Sequence, residues 1–125
     1  VGACHSGWRG TVDGIVSETV QAMTRLGAVA SRMSAFLGPC ISTAAFEVGE
    51  EVAERFEEAE VERRPEWPRP HVDLRAAIRR QLAAAGVTDV EVDASCTVAD
   101  ARFYSYRGEG GTKGRMLGYV GLRAE

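Results

Sequence analysis

Residues 73–94 read DLRAAIRRQLAAAGVTDVEVDA, in which a helical pattern runs directly into a strand pattern. Asp73 is typical of a helix N-cap, and Gly86 is typical of the left-handed position that follows a helix. The apolar residues that share one face of this helix are Leu74, Ala77, Ile78 and Leu82. Val90–Ala94 alternates apolar and acidic residues, which indicates a half-buried strand. The stretch therefore predicts a helix over 74–85 and a strand directly after it.

A second helix and strand are predicted upstream of this unit. Thr11–Leu26 carries apolar residues at helical spacing, with Thr11 or Asp13 as the candidate N-cap and Gly27 after the helix end. The apolar positions are Val12, Ile15, Val16, Val20 and Met23. Met33–Leu37 predicts a short strand. Helix and strand patterns thus repeat along the chain.

The rest of the chain adds further strands, a charged helix and loops. Val1–His5 and Met116–Leu122 are apolar and predict strands. The glutamate-rich run Glu47–Glu66 predicts a helix with a solvated face, which Pro65, Pro68 and Pro70 then end. Cys96–Arg107 is expected to be irregular, and Gly108–Gly114 to form a glycine-rich turn. Strands that alternate with helices predict one α/β layered domain over residues 1–125.

Composition limits the classes of function. The chain has 125 residues, 45% hydrophobic and 26% charged, which is the range of a single globular domain. Its net charge of -3 disfavours a nucleic-acid-binding role. No apolar run is long enough to span a membrane. Three cysteines without a C-x-x-C pair predict a reduced, cytoplasmic chain. The opening residues VGACH lack the charged start of a signal peptide and suggest a chain cut from a longer protein.

The first segment that carries chemistry is CHSGWRG at residues 4–10. His5 follows a predicted strand, and its imidazole could be a metal ligand or a general base near neutral pH. Trp8 offers a flat apolar wall, and Arg9 offers a planar cation for an anion. The alternative is a partly buried histidine whose hydrogen bonds are satisfied beside a packed Trp8.

Two further segments hold candidate groups. In GPCI at residues 38–41, Cys40 could be a nucleophile if a base such as His5 lay nearby, or else a small buried hydrophobic residue. The stretch FYSYRGEGGTKGR at residues 103–115 joins aromatic rings to Arg107 and Arg115, which suits a flat ligand or an anion. The alternative is a flexible hairpin with solubilising charges. The stretch does not match the phosphate-binding P-loop.

One more histidine, His71, lies in a proline-rich stretch without acidic or thiol neighbours at ligand spacing. We expect it to be a surface residue. Among common metal and nucleotide motifs, neither zinc-finger spacing nor an H-E-x-x-H or G-x-G-x-x-G signature is present.

Together the three segments resemble the YfiH-like family, also called the multicopper polyphenol oxidase or laccase-domain family. The family pattern has H-A-G-W-R-G, then G-P-x-I with a following E-V-G, then an aromatic block ending in G-R. Two departures stand out. Ser42–Ala45 replaces positions that often hold cysteines, and Gly108 replaces the second arginine of the aromatic block.

The resemblance implies a fold and a cofactor. The family fold is an α/β/β/α layered sandwich, and members are about twice as long as this chain, which would be the C-terminal half. The family metal site has three ligands, of which only one maps here, onto His5; the other two would precede Val1. The implied metal is zinc, with copper as the alternative. The missing half, or a second copy, would be the packing partner.

The resemblance also implies an activity, which is phosphorolysis of purine nucleosides and deamination of adenosine. The substrates would be adenosine, inosine, guanosine or methylthioadenosine, with inorganic phosphate as co-substrate. Catalytic roles would fall to His5, Arg9 and Cys40, and substrate contacts to Trp8, Arg107 and Arg115. Alternatives are editing of peptidoglycan precursors, copper-dependent oxidation of polyphenols, or a catalytically silent fragment.

Overall fold

The computed structural model describes residues 1–111 and 114–124. Within these residues the helices are α1 Trp8–Val12, α2 Ile15–Arg25, α3 Glu50–Ala53 and α4 Leu74–Ala84. The strands are β1 Ser34–Leu37, β2 Val61–Glu62, β3 His71–Val72 and β4 Asp89–Val92. Short 3-10 turns occupy Ala30–Arg32, Thr43–Ala45 and Glu58–Glu60. The predicted α/β class, a fold that mixes helices and strands, is confirmed.

The centre of the fold is a parallel pair of strands, β1 and β4. Ser34 lies opposite Asp89, and the register continues to Leu37 opposite Val92. One face of the pair packs against α2 and α4 in a hydrophobic cluster whose buried members are Val16, Val20, Leu82 and Val87. The other face is open, since Phe36 is 63% exposed. The strands predicted at Met33–Leu37 and Val90–Ala94 are confirmed, although β1 begins one residue later and β4 begins one residue earlier and ends two residues earlier.

The first predicted helix is divided in two. α1 already begins at Trp8, and Gly14 breaks the helix with a φ of 83°, a backbone conformation that favours glycine. Thr11 is not an N-cap: it is fully buried within α1, where its hydroxyl donates a hydrogen bond to the carbonyl of Gly7 at 2.9 Å. Gly27 ends α2 in the left-handed conformation, as predicted.

Helix α4 has the predicted cap and the predicted end. The Asp73 carboxylate accepts a hydrogen bond from the backbone N–H of Ala76 at 2.9 Å, and Gly86 has a φ of 87°. The Gln81 side-chain amide donates to the carbonyl of Thr11 at 2.7 Å, which joins α4 to α1.

The long helix predicted over Glu47–Glu66 is wrong. The backbone N–H of Val48 donates to Pro70, and that of Val72 donates to Phe46, so residues 46–48 are extended beside β3 and cannot be helical. Only α3 remains of the helix. This region forms a second hydrophobic cluster, whose buried members are Phe46, Val48, Ala53, Val72 and Leu74.

The charges of this run are not all solvated. Glu60 is 4% exposed, and its carboxylate accepts a hydrogen bond from Arg80 Nε at 2.5 Å. A buried carboxylate is costly unless it is paired, and the Arg80 contact provides that pair.

The strands predicted at Val1–His5 and Met116–Leu122 are wrong. Both segments are described without regular secondary structure, because a strand needs a partner ladder and no described strand lies beside them. Leu117 is 90% exposed and Tyr119 is 93% exposed. Part of the predicted glycine turn, at Thr112 and Lys113, lies outside the described residues. Within the described residues, none of the helices could span a lipid bilayer.

The Asp73 cap gives a direct test of how α4 is held. Asp73→Ala leaves the Ala76 N–H without its acceptor, and we expect the free energy of unfolding to fall by about 1 kcal/mol. Urea denaturation followed by circular dichroism measures this change. Asp73→Asn is the matched control, because asparagine also caps helices and should stay close to the parent chain. Equal losses in both variants would show that the cap is not the stabilising feature.

Candidate functional site

His5 lies exposed in the loop that leads into α1. Its ring covers Gly7, because a Cβ built on Gly7 would lie 3.0 Å from His5 Nε2. Glycine at that position therefore lets the imidazole fold over the loop. The alternative of a partly buried histidine beside packed Trp8 is wrong, since solvent reaches the His5 side chain. An accessible imidazole can bind a metal or exchange a proton.

Trp8 presents an aromatic ring between the hydrophobic core and two arginines. The half-buried ring packs against the cluster around Phe46. Arg9 Cζ lies 4.3 Å from the centroid of the Trp8 ring, and Arg55 Cζ lies 5.8 Å from it. Arg55 is also held by Asp13, with Nη2 2.8 Å from Oδ1. Guanidinium groups beside an aromatic ring form a surface that is both flat and cationic.

Arg107 reaches the same hydrophobic cluster from the aromatic segment near the end of the chain. Its Cζ lies 5.2 Å from the centroid of the Phe46 ring. Its Nη1 donates a hydrogen bond to the carbonyl of Glu47 at 2.5 Å. The fold thus brings residues 8–9 and residue 107 around one apolar cluster, with the Arg107 side chain exposed. We call Trp8, Phe46, Arg9, Arg55 and Arg107 the arginine–aromatic site.

Two further arginines differ in how they compare with the sequence predictions. Arg55 was not foreseen, because it lies in the acidic run and only the folding of α3 brings it to Trp8. Arg115 is exposed and donates Nη1 to the carbonyl of its neighbour Gly114 at 2.7 Å. Gly114 itself lies against the Tyr104 ring, which a Cβ would strike. The role of Arg115 in substrate binding stays a prediction.

Cys40 lies beyond the carboxyl end of β1, and its surroundings differ from those expected of a nucleophile beside His5. Its backbone pairs with that of Cys96 in an isolated parallel β-bridge. Its Sγ donates to the carbonyl of Ile41 at 3.3 Å. Burial raises the pKa of the Cys40 thiol, and the nearby Arg75 guanidinium only partly offsets this. The charged and titratable groups that act on Cys40 are Arg75, Asp73, Cys96 and Asp93, without His5 among them.

Cys96 is a group that the sequence did not single out. Its Sγ accepts a hydrogen bond from the backbone N–H of Ser42 at 3.3 Å. Burial raises the pKa of Cys96, but hydrogen bonds from Ser42 and from the backbone of residues 98 and 99 outweigh it and lower the pKa to about 7. Residues 42 and 96 meet only through the pairing of β1 with β4, so no local sequence signal could reveal the contact.

His71 is buried, which corrects the expectation of a surface residue. It is 5% exposed in β3, and its Nδ1 lies 2.8 Å from the carbonyl oxygen of Thr43. The Trp67 ring stacks on the imidazole with the centroids 3.7 Å apart. His71 is therefore a structural residue of the β2–β3 region. No group of three potential metal ligands occurs within residues 1–111 and 114–124.

Comparison with known proteins identifies a family and a fold. The family model described as multi-copper polyphenol oxidoreductase laccase matches residues 1–123. A purine nucleoside phosphorylase of Deinococcus radiodurans is 43% identical over 98% of this chain and 49% of its own length. An adenosine deaminase, RL5, from an unknown prokaryotic organism is 41% identical over 94% of this chain and 48% of its own length. The chain spans about half the length of the curated relatives it matches.

Two solved structures are similar to this chain in fold. The Bacillus licheniformis hypothetical protein YfiH has a TM-score of 0.77 at 24% identity, over 86% of this chain and 44% of that one. The Neisseria meningitidis protein NMB0706 has a TM-score of 0.75 at 33% identity, over 86% of this chain and 46% of that one. The YfiH-type fold that the motifs implied is confirmed.

Cys40 and Cys96 should differ in how their reactivity depends on pH. We expect the alkylation of Cys96 by iodoacetamide to reach half its maximal rate at about pH 7, because only the thiolate reacts. Cys40 should require a pH above the ordinary thiol range. Mass spectrometry of labelled peptides from a Cys4→Ser chain gives both profiles, and superimposable profiles would contradict the structure.

Proposed function

This chain belongs to the multi-copper polyphenol oxidoreductase laccase family, and we propose that it forms part of an enzyme that acts on purine nucleosides. Two observations support the proposal. Relatives about 40% identical to this chain are named purine nucleoside phosphorylase and adenosine deaminase. The arginine–aromatic site also combines the half-buried Trp8 ring with exposed cations, which is the chemistry that a purine and a phosphate require. The second observation carries the assignment of roles to residues.

The reaction that we assign first is phosphorolysis. Inorganic phosphate attacks C1′ of the ribose, the bond from C1′ to the purine nitrogen breaks, and the base leaves after protonation. Arg9 and Arg107 are exposed guanidiniums that can hold the phosphate through paired hydrogen bonds and offset its charge. Trp8 offers an aromatic wall for the purine ring.

A second reaction at the same site is deamination of adenosine. Water adds to C6 of the purine ring, and ammonia leaves to give inosine. The purine would be bound as in phosphorolysis, with the arginines free of phosphate. The relative named adenosine deaminase favours this second candidate.

His5 is the residue that we assign to a metal, with zinc as the first choice and copper as the alternative. A catalytic zinc has three protein ligands and one open position. The described residues supply one accessible imidazole and no group of three ligands, so they do not complete such a site. We propose that His5 is one ligand and that the other ligands come from outside the described residues. When bound, the ion would supply a Lewis acid beside the nucleoside, and its loss would slow the reaction.

The role of His5 can be tested on the complete gene product that contains this chain. His5→Ala should lower the release of hypoxanthine from inosine by about 100-fold or more, because the ion would be lost with its ligand, and bound zinc should fall well below one per chain. Metal content is measured by elemental analysis, and base release by chromatography with and without phosphate. Release and metal content equal to those of the parent protein would remove His5 from the site.

The arginine–aromatic site makes a separate prediction about phosphate. Arg9→Gln and Arg107→Gln should each raise the KM for phosphate by about tenfold or more, because each removes a charged hydrogen bond. Arg25→Gln is the matched control, since Arg25 is exposed at the far end of α2. The readout is the rate of inosine phosphorolysis against phosphate concentration. Equal KM values in all three variants would place phosphate elsewhere.

A panel of substrates separates the alternative reactions. It contains inosine, adenosine, guanosine and methylthioadenosine, a peptidoglycan precursor, and a polyphenol assayed with added copper. Oxidation of the polyphenol without action on nucleosides would favour the activity in the family's description. We expect base release from inosine in phosphate, and no release when phosphate is omitted.

A further inference from the structure

The structure brings two cysteines together beyond the carboxyl ends of the central strands. We propose that Cys40 and Cys96 form a peroxide-sensitive thiol pair that closes to a reversible disulfide. Cys96 is the sulfur that peroxide oxidises, and Cys40 is the sulfur that resolves the oxidised form.

The backbone already holds the pair at a suitable separation. Cys40 and Cys96 are partners in a parallel bridge, and paired strands lie about 4.8 Å apart. This spacing falls within the range of about 4.4–6.8 Å between the Cα atoms of disulfide-bonded residues. The backbone N–H of Thr97 also donates to the carbonyl of Cys40 at 3.1 Å, which fixes the register.

Both sulfur atoms contact the peptide group between Ile41 and Ser42. Cys40 Sγ donates to its carbonyl, and Cys96 Sγ accepts from its N–H, each at 3.3 Å. The carbonyl and the N–H of this trans peptide point to opposite sides, so both side chains rotate away from it when the S–S bond forms. Neither is sealed in the core, because both cysteines are only partly buried.

The hydrogen bonds assign different chemical states to the two sulfurs. Cys96 accepts from an N–H, which stabilises its thiolate and accords with its pKa of about 7. Cys40 donates its proton to a carbonyl, and burial raises its pKa, so it stays a thiol. A thiolate is the species that attacks peroxide.

Arg75 fixes the geometry around the pair. Its Nη2 donates to the carbonyl of Ser95 at 2.6 Å and to the carbonyl of Cys40 at 3.3 Å. One guanidinium thus joins the two segments that carry the cysteines. Its positive charge also favours ionisation of Cys40 once Cys96 has been oxidised.

The chemistry balances with hydrogen peroxide as the oxidant. The Cys96 thiolate attacks one peroxide oxygen, an S–O bond forms, the O–O bond breaks, and hydroxide leaves. Cys40 sulfur then attacks Cys96 sulfur, so the S–S bond forms, the S–O bond breaks and a second hydroxide leaves. The two thiol protons convert both hydroxides to water. Two thiols lose two electrons, and one peroxide gains them. A dithiol reductant reverses the oxidation by thiol–disulfide exchange.

Closure of the disulfide would affect the neighbouring hydrophobic cluster. Ile41 lies between Cys40 and Ser42 and packs against the same cluster as Trp8. A covalent bond from Cys40 to Cys96 fixes the backbone segment that carries Ile41. In the oxidised chain, the hydrophobic cluster beneath the arginine–aromatic site would therefore be more rigid.

The test uses the 125-residue chain with Cys4→Ser, which removes the exposed third thiol. The chain is treated with hydrogen peroxide at pH 7 and digested without reductant. We expect a peptide that links Cys40 to Cys96, and its loss after dithiothreitol. We also expect Cys96 to be oxidised about fivefold or more faster than Cys40 in single-cysteine chains. Oxidation that leaves the two cysteines unlinked would overturn the proposal.

Two variants separate the roles of the cysteines. In Cys40→Ser the sulfenic acid on Cys96 has no resolving partner, so dimedone should label Cys96. In Cys96→Ser the same peroxide dose should leave Cys40 unlabelled. Labelling of Cys40 in place of Cys96 would reverse the assigned roles. Circular dichroism shows whether each variant folds. If a variant does not fold, the presence or absence of the linked peptide in the Cys4→Ser chain tests the proposal.

Discussion

The parallel pairing of β1 with β4 is the constraint on which the rest of the structure depends. Ser34–Leu37 and Asp89–Val92 are far apart in sequence, and their register sets where α2 and α4 pack. Parallel strands require a crossover connection, and the intervening segment holds the second hydrophobic cluster. Beyond the paired strands, the same register brings Cys40 beside Cys96 and allows Arg75 to bind both segments.

The local signals of the sequence predicted the central unit well. Asp73 caps α4, Gly27 and Gly86 have positive φ values, and the two central strands lie at the predicted positions. The cap and the two glycine positions depend on residues within one turn of the chain, where capping and backbone preference dominate. The two strands were predicted from their residue pattern, and each found a partner in the other. Two other patterns failed because of distant partners. Glu47 and Val48 lie in the run predicted as a helix but are extended beside β3, and Met116–Leu122 reads as a strand but has no described partner.

The candidate site likewise contains some residues that the sequence predicted and others that only the fold reveals. The sequence selected Trp8, Arg9 and Arg107 from three short motifs, and the fold places them around one apolar cluster. It missed Arg55, because the acidic run gave no reason to bring that side chain to Trp8. It also missed the difference between Cys40 and Cys96, which arises from hydrogen bonds between segments distant in sequence. The surface expectation for His71 failed for the related reason that Trp67 and Thr43 enclose it.

The arginine–aromatic site links the fold to the proposed chemistry, since the fold builds it and the chemistry uses it. Its cations are exposed and partly held in place, by Glu47 for Arg107 and by the Trp8 ring for Arg9. The most direct measurement is a crystal structure of the complete gene product with inosine and sulfate, which replaces phosphate without reacting. We expect the purine to lie against Trp8 and the sulfate to lie within hydrogen-bond distance of Arg9 or Arg107. Inosine and sulfate bound together elsewhere, with both arginines unengaged, would contradict it.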